Sequence, residues 1–113
     1  LFVMHFVKNL EDRSQMFLDF SRFLKKDGFL INAEISVDIK SSEFEQLIEN
    51  WKSVHALAGS SEEKLNDIPK VIKEELGVIS PEETRKLIVK NGFKKPVNFF
   101  QSFLIRGWYS IKD

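Results

Sequence analysis

Leu1-Phe2-Val3-Met4-His5-Phe6-Val7, an amphipathic stretch from Asn9 to Lys26, and then Gly28-Phe29-Leu30-Ile31-Asn32-Ala33-Glu34-Ile35 decide the fold expected of this chain. The two flanking runs are short, apolar and rich in β-formers, so each reads as a buried strand. Between them Leu10, Phe17, Phe20 and Leu24 recur at helical spacing, with Met16 and Phe23 widening the stripe. Asn9 is placed to cap the N–H groups near Asp12, and Asp27-Gly28 closes the helix, with Gly28 taking the left-handed conformation. Strand, helix and strand with tight connections make a βαβ unit, hence two parallel strands and a right-handed crossover. The first run starts inside what should be a central strand, which reads as a cut end and as the back part of a larger α/β domain.

Downstream the pattern is helical. Ser42 and Glu45 have capping-box spacing, and Phe44, Leu47, Ile48, Trp51, Val54 and Ala58 form one long apolar stripe that Gly59 ends. Ser60 with Glu63 offers a second capping box, ahead of Leu65, Ile68, Ile72 and Leu76. Pro69 predicts a kink or break within that segment, and Gly77 stops it. Ser80-Pro81-Glu82-Glu83 is the strongest helix start in the chain, with Ser at N-cap, Pro at N1 and Glu at N3. That helix runs to Asn91-Gly92. Val97 to Ile105 and Trp108 to Ile111 then read as an antiparallel hairpin, with Arg106-Gly107 as its turn.

Composition narrows the function. The 113 residues allow one domain at most, and 42% hydrophobic content is ordinary for a packed chain. Lys+Arg and Asp+Glu both number 17, so no net field draws nucleic acid or an anionic membrane. A neutral total can hide a local patch, for which Lys25-Lys26 and Lys94-Lys95 are the candidates, although such pairs also serve as solvated element ends. Cysteine is absent, which removes disulfides and thiolate chemistry and suits the cytoplasm. The N-terminal apolar run is too short to span a bilayer and has no basic flank or cleavage site of a signal peptide.

The order β, α, β, three helices and a terminal hairpin resembles the C-terminal half of a class I S-adenosylmethionine-dependent methyltransferase. Phe2-Val3-Met4-His5-Phe6-Val7 with Glu11-Asp12-Arg13 is similar to the family's fourth strand and following helix. Phe23-Leu24-Lys25-Lys26-Asp27-Gly28-Phe29-Leu30-Ile31 is similar to its entry to the fifth strand. Ser80 to Thr84, running on to Lys90-Asn91-Gly92-Phe93, is similar to its last helix and sixth strand. The resemblance implies a partial Rossmann-like sheet of two parallel strands plus an antiparallel hairpin, whose last strand inserts beside the fifth. It also implies an inserted, lid-like helical segment over about residues 41–91. The activity implied is methyl transfer to an acceptor, by proximity and alignment rather than by a dedicated catalytic motif. Phe99-Phe100-Gln101-Ser102-Phe103 is also similar to the tRNA wobble-uridine enzymes that use carboxy-S-adenosylmethionine. Around Pro69-Lys70, however, the Arg those enzymes use for the extra carboxylate is missing. All five glycines are isolated, so the glycine turn that approaches the cofactor must lie upstream, as must the acid that binds its ribose.

Candidate site residues follow. His5 ends the first strand at the carboxyl edge where open α/β sheets bind ligands, and the resemblance puts His5 and Phe6 beside the cofactor's methionine moiety. A packed or capping histidine is the plainer alternative. Glu34 ends the second strand at the same edge, either to orient an acceptor or act as a base, or as a solvated charge. Trp51 and His55, one helical turn apart, are acceptor-binding candidates in the implied lid, while Trp51 equally fits the core stripe. Nothing has Cys/His ligand spacing, so no metal is expected. The alternative to an enzyme is a non-catalytic α+β interaction module. If the first strand is an unpaired apolar edge, it should pair with a second copy of the chain.

Overall fold

A computed structural model describes residues 2–113. Four helices pack around one three-stranded antiparallel sheet, so the chain is α/β in its general class. Helix α1 spans Leu10–Phe23, α2 Ser42–Leu57, α3 Glu62–Lys70 and α4 Pro81–Lys90; strand β1 spans Phe29–Ile35, β2 Val97–Ser102 and β3 Ile105–Ile111. The sheet order is β1-β3-β2, with β3 antiparallel to both neighbours.

The expected first strand does not form. Met4–Phe6 is a single 3-10 turn, and Met4 and His5 are buried. The parallel pair expected from residues 1–7 and 28–35 is therefore absent among the described residues, and so is the apolar strand edge expected to pair with a second copy. The physical reason lies in α1. Arg13 reaches across, and its guanidinium donates to the carbonyl oxygens of Met4 and Val7. Those carbonyls are satisfied by a side chain, so the segment folds over the sheet end without joining the ladder. Leu1 lies outside the described residues.

Helix boundaries follow local chemistry closely. Asn9 Oδ1 accepts from Glu11 N at 2.8 Å and Asp12 N at 3.3 Å, the N-cap expected of it. Ser80 and Glu83 form the full capping box, with Pro81 at the first helical position. The other two caps sit one residue from the expected ones: Ser41, not Ser42, caps α2, and Ser61, not Ser60, caps α3. At the end of α1 the left-handed residue is Asp27, at φ 65°, and not Gly28. Aspartate is among the few side chains that tolerate that region. Pro69 does not end the helix. The helix runs on through Lys70 into a π turn over Val71–Glu75, where Leu76 N–H reaches back to Val71 O at 3.1 Å. Proline removes an N–H from the ladder, and the turn after it widens.

The hairpin turn is also displaced. It lies at Phe103-Leu104, with Phe103 at φ 53°, and Arg106-Gly107 belongs to β3. Gly107 serves close packing: a Cβ there would lie 3.2 Å from the Phe100 side chain.

Two cores flank the sheet and share β1 as a wall. Met4, Phe17, Ile88 and Phe93 pack together with Leu30, joining the N-terminal turn, α1 and α4 to one sheet face. Ile35, Val37, Phe44, Ile48, Ile72 and Leu104 form the second, under α2 and the π turn, and Trp51 packs against it. Beyond Ile35 the outer sheet face is open: Phe29 is 64% exposed, Ile31 58% and Phe99 56%. Tyr109 and Ile111 complete this apolar surface. Among the described residues no helix is long and apolar enough to cross a membrane.

Candidate functional site

The end of β1 gathers the buried charge of the molecule. Glu34 projects to the helix-covered face and is wholly buried, and its Oε2 lies 3.2 Å from Arg13 Nη1. Arg13 lies on the apolar stripe of α1, three residues after Leu10 and four before Phe17, so the helix carries its guanidinium into the protein. There Nη2 donates to the carbonyls of Met4, Val7 and Gly77. One guanidinium thus ties α1, the N-terminal turn, β1 and the loop before α4 together. Ser36 Oγ donates to Ile79 O at 3.0 Å and lies 3.4 Å from Thr84 Oγ1, which fastens the same loop to β1.

Burial pushes the Glu34 carboxyl above its ordinary value, while the Arg13 charge beside it pulls it back. Burial likewise lowers Arg13. Loss of water outweighs attraction for both members, as expected of a buried pair.

His5 sits beside this pair. Its ring is 2% exposed, and Nδ1 accepts from Ile35 N–H at 3.4 Å. Phe2 and Phe6 rings lie 4.7 and 4.3 Å from it. An accepting Nδ1 needs the neutral ring, and burial first, then Arg13, holds the imidazole below its ordinary pKa of 6.5. A depressed folded-state pKa contributes stability that is full above pH 6.5 and is lost as pH falls through the folded value. Stability should therefore fall on acidification from pH 7, by at most about 1.4 kcal/mol per pH unit from this group. Glu34, being raised, contributes the opposite slope above its ordinary 4.5. Comparison with His5→Asn, which keeps an acceptor for Ile35 N–H, isolates the histidine. Urea melts at pH 7 and 5 should show a smaller acid loss in the variant, and equal losses would contradict the assignment.

Gly77 closes this corner. Its N–H donates to His5 O at 2.8 Å, and a Cβ on it would meet Val7 O and Lys8 Cα at 2.7 Å. Both obstacles are backbone. Gly77→Ala should cost about 1–3 kcal/mol through overpacking, read as a lowered urea midpoint. An unchanged midpoint would mean the two segments separate freely.

Trp51 and His55 do meet, their ring centroids 5.5 Å apart, at a small pocket of about 200 Å³ lined also by Ile35, Ile68 and Leu76. The pocket is on the opposite side of β1 from Glu34, so the expected site residues divide into two groups. Glu34 and His5 are brought together through Arg13 and the backbone of Ile35. Trp51 and His55 are not brought to them. Phe6 is 64% exposed, its ring packed beside that of His5.

These residues do not by themselves fit S-adenosylmethionine. The His5 ring is already surrounded, Glu34 is held by Arg13, and no glycine-rich turn follows a strand. No cluster of three or more His, Cys, Asp or Glu able to hold a metal lies among the described residues. The sequence matches no protein-family model and no curated protein. What the arrangement does chemically is structural: it buries a charge pair that locks four segments to one strand end.

Sequence patterning does not group Arg13, Thr84 and Ser36 with this site; the fold does. The available signal was Arg13 itself, a cation on the buried stripe of α1, which demands a buried carboxylate. Glu34, the acid at the end of an apolar strand, was the partner to look for.

A second polar group lies under α4. Asn32, Trp108 and Asn98 stand directly opposite one another across β1, β3 and β2. Both amide atoms of Asn32, Trp108 Nε1 and Asn98 Nδ2 are buried with no hydrogen-bond partner among the described residues. Arg85 of α4 stacks over the Trp108 ring, 4.9 Å from its centroid.

Proposed function

We propose that these 113 residues form the C-terminal part of an S-adenosylmethionine-dependent methyltransferase domain, working in the cytoplasm on an acceptor that the chain does not identify. The observation that carries this reading is the strand order. The last strand, β3, lies between β1 and β2 and is antiparallel to both, the arrangement the resemblance implies for the terminal hairpin. The open apolar face of the sheet adds support, because sheets of α/β domains are covered by helices on both faces. Here α1 and α4 cover one face, and only the Ile35 end of the other is covered.

A second reading, a non-catalytic interaction module, draws on that same open face, since apolar patches of this kind mark association surfaces. The coding sequence upstream of Leu1 separates the two. A strand leading into a Gly-x-Gly turn, with an acid at the end of the next strand, favours the enzyme. An initiating Met immediately before Leu1 overturns it. The 113 residues alone should give no measurable heat when titrated with S-adenosylmethionine, because the glycine turn is not among them. Micromolar binding to this chain would contradict the division of the site assumed here.

A further inference from the structure

We propose that the groove between α4 and the start of β2 binds single-stranded nucleic acid through its phosphates. The inference stands apart from the methyltransferase reading and rests on a different face of the molecule. The groove encloses about 1220 Å³, and Arg85, Lys86, Lys90, Lys94 and Lys95 line it. Glu82 and Asp113 are the acidic residues of its lining. A chain with 17 cations and 17 anions thus concentrates positive charge in one concavity.

Little within the protein neutralises that charge. Lys86 meets Glu82 at 3.7 Å and Lys94 meets Asp27 at 3.8 Å, both between exposed side chains, where an ion pair contributes little. Lys90 and Lys95 are exposed and form no ion pair among the described residues. Arg85 is fixed differently, stacked on Trp108. Asn98 lines the groove, and its Nδ2 is a buried donor without an acceptor. The groove therefore offers N–H donors and an excess of positive charge over the two carboxylates of Glu82 and Asp113.

The form of the ligand follows from the spacing. Lys86 and Lys90 are one turn apart, about 6 Å along α4, and Lys94 and Lys95 line the same groove after the chain turns at Asn91-Gly92. A single phosphate would be held where cations and free helix N–H groups converge, but the α4 N-terminus is already closed by the Ser80–Glu83 capping box. A flat anionic membrane would not enter a concave groove. A flexible strand with a phosphate on every nucleotide can follow cations spread through one groove, with Val89, Pro96 and Val97 beside its sugars.

Fluorescence anisotropy with a labelled oligothymidylate of about 12 nucleotides tests the proposal on the full chain. Binding should follow a linear log–log salt dependence and weaken about 50-fold between roughly 50 and 200 mM salt if about four phosphates are neutralised. Lys90→Glu with Lys95→Glu should weaken binding at least tenfold and flatten that dependence, with circular dichroism unchanged. Lys40→Glu with Lys70→Glu makes the same charge change away from the groove and should leave binding intact. Three results would each overturn the proposal. They are no binding near 50 mM salt at roughly 100 µM protein, equal weakening by the two double variants, and displacement of the strand by tripolyphosphate at equal phosphate concentration.

Discussion

Glu34→Ala is expected to lower stability by about 3–5 kcal/mol, a large share of the roughly 5–15 kcal/mol that holds a domain folded. The substitution removes few contacts by volume. Its cost comes from Arg13, which would remain 1% exposed with its charge unpaired. Arg13 cannot retreat to water, because α1 holds it on the buried stripe and its Nη2 is engaged with the carbonyls of Met4, Val7 and Gly77. Arg13→Ala should cost a similar amount, since it strands Glu34 and frees those carbonyls as well. The double variant Arg13→Met/Glu34→Leu supplies the contrast: both charges leave together and apolar volume takes their place. It should recover most of the loss, as buried pairs often do when replaced as a unit. Urea denaturation of the three variants reads this directly. A Glu34→Ala protein within about 1 kcal/mol of the parent would mean that water reaches Arg13.

The second large effect is expected at Trp108. It is wholly buried at the centre of the sheet, flanked by Asn32 and Asn98 and covered by Arg85. Trp108→Ala should cost about 3–5 kcal/mol, the usual range for emptying an aromatic site in a core that cannot collapse. Trp108→Phe should cost far less. Part of the volume stays, the ring under Arg85 stays, and the buried Nε1–H that has no acceptor goes. Equal losses in the two variants would mean that the indole N–H has a partner in solution.

Much of the local structure was legible. Asn9, and Ser80 with Glu83, announce α1 and α4 because caps depend on neighbours three or four residues away. The hairpin is visible in its β-formers, but Arg106-Gly107 resembles a turn only in composition, and Gly107 instead admits the Phe100 side chain. The N-terminal run was misread for a different reason. A short apolar run cannot be told from another buried segment by periodicity, and here Arg13 decides by taking its carbonyls.

The candidate site was legible by residue type and not by grouping. Glu34 and His5 were singled out, and they do lie together, but Arg13 stands between them and turns a supposed ligand edge into a structural lock. The cations of the groove were divided in sequence between an amphipathic helix and a loop. Only the fold brings Arg85, Lys86 and Lys90 alongside Lys94 and Lys95.

On the function proposed above, this sheet is one wall of a cofactor-binding domain whose other wall lies upstream. Calorimetric titration of S-adenosylmethionine into the protein expressed from the longest reading frame containing residues 1–113 tests it most directly. One site of micromolar affinity is predicted, with none for the 113 residues alone. A longer protein that folds and takes up no cofactor would contradict the account.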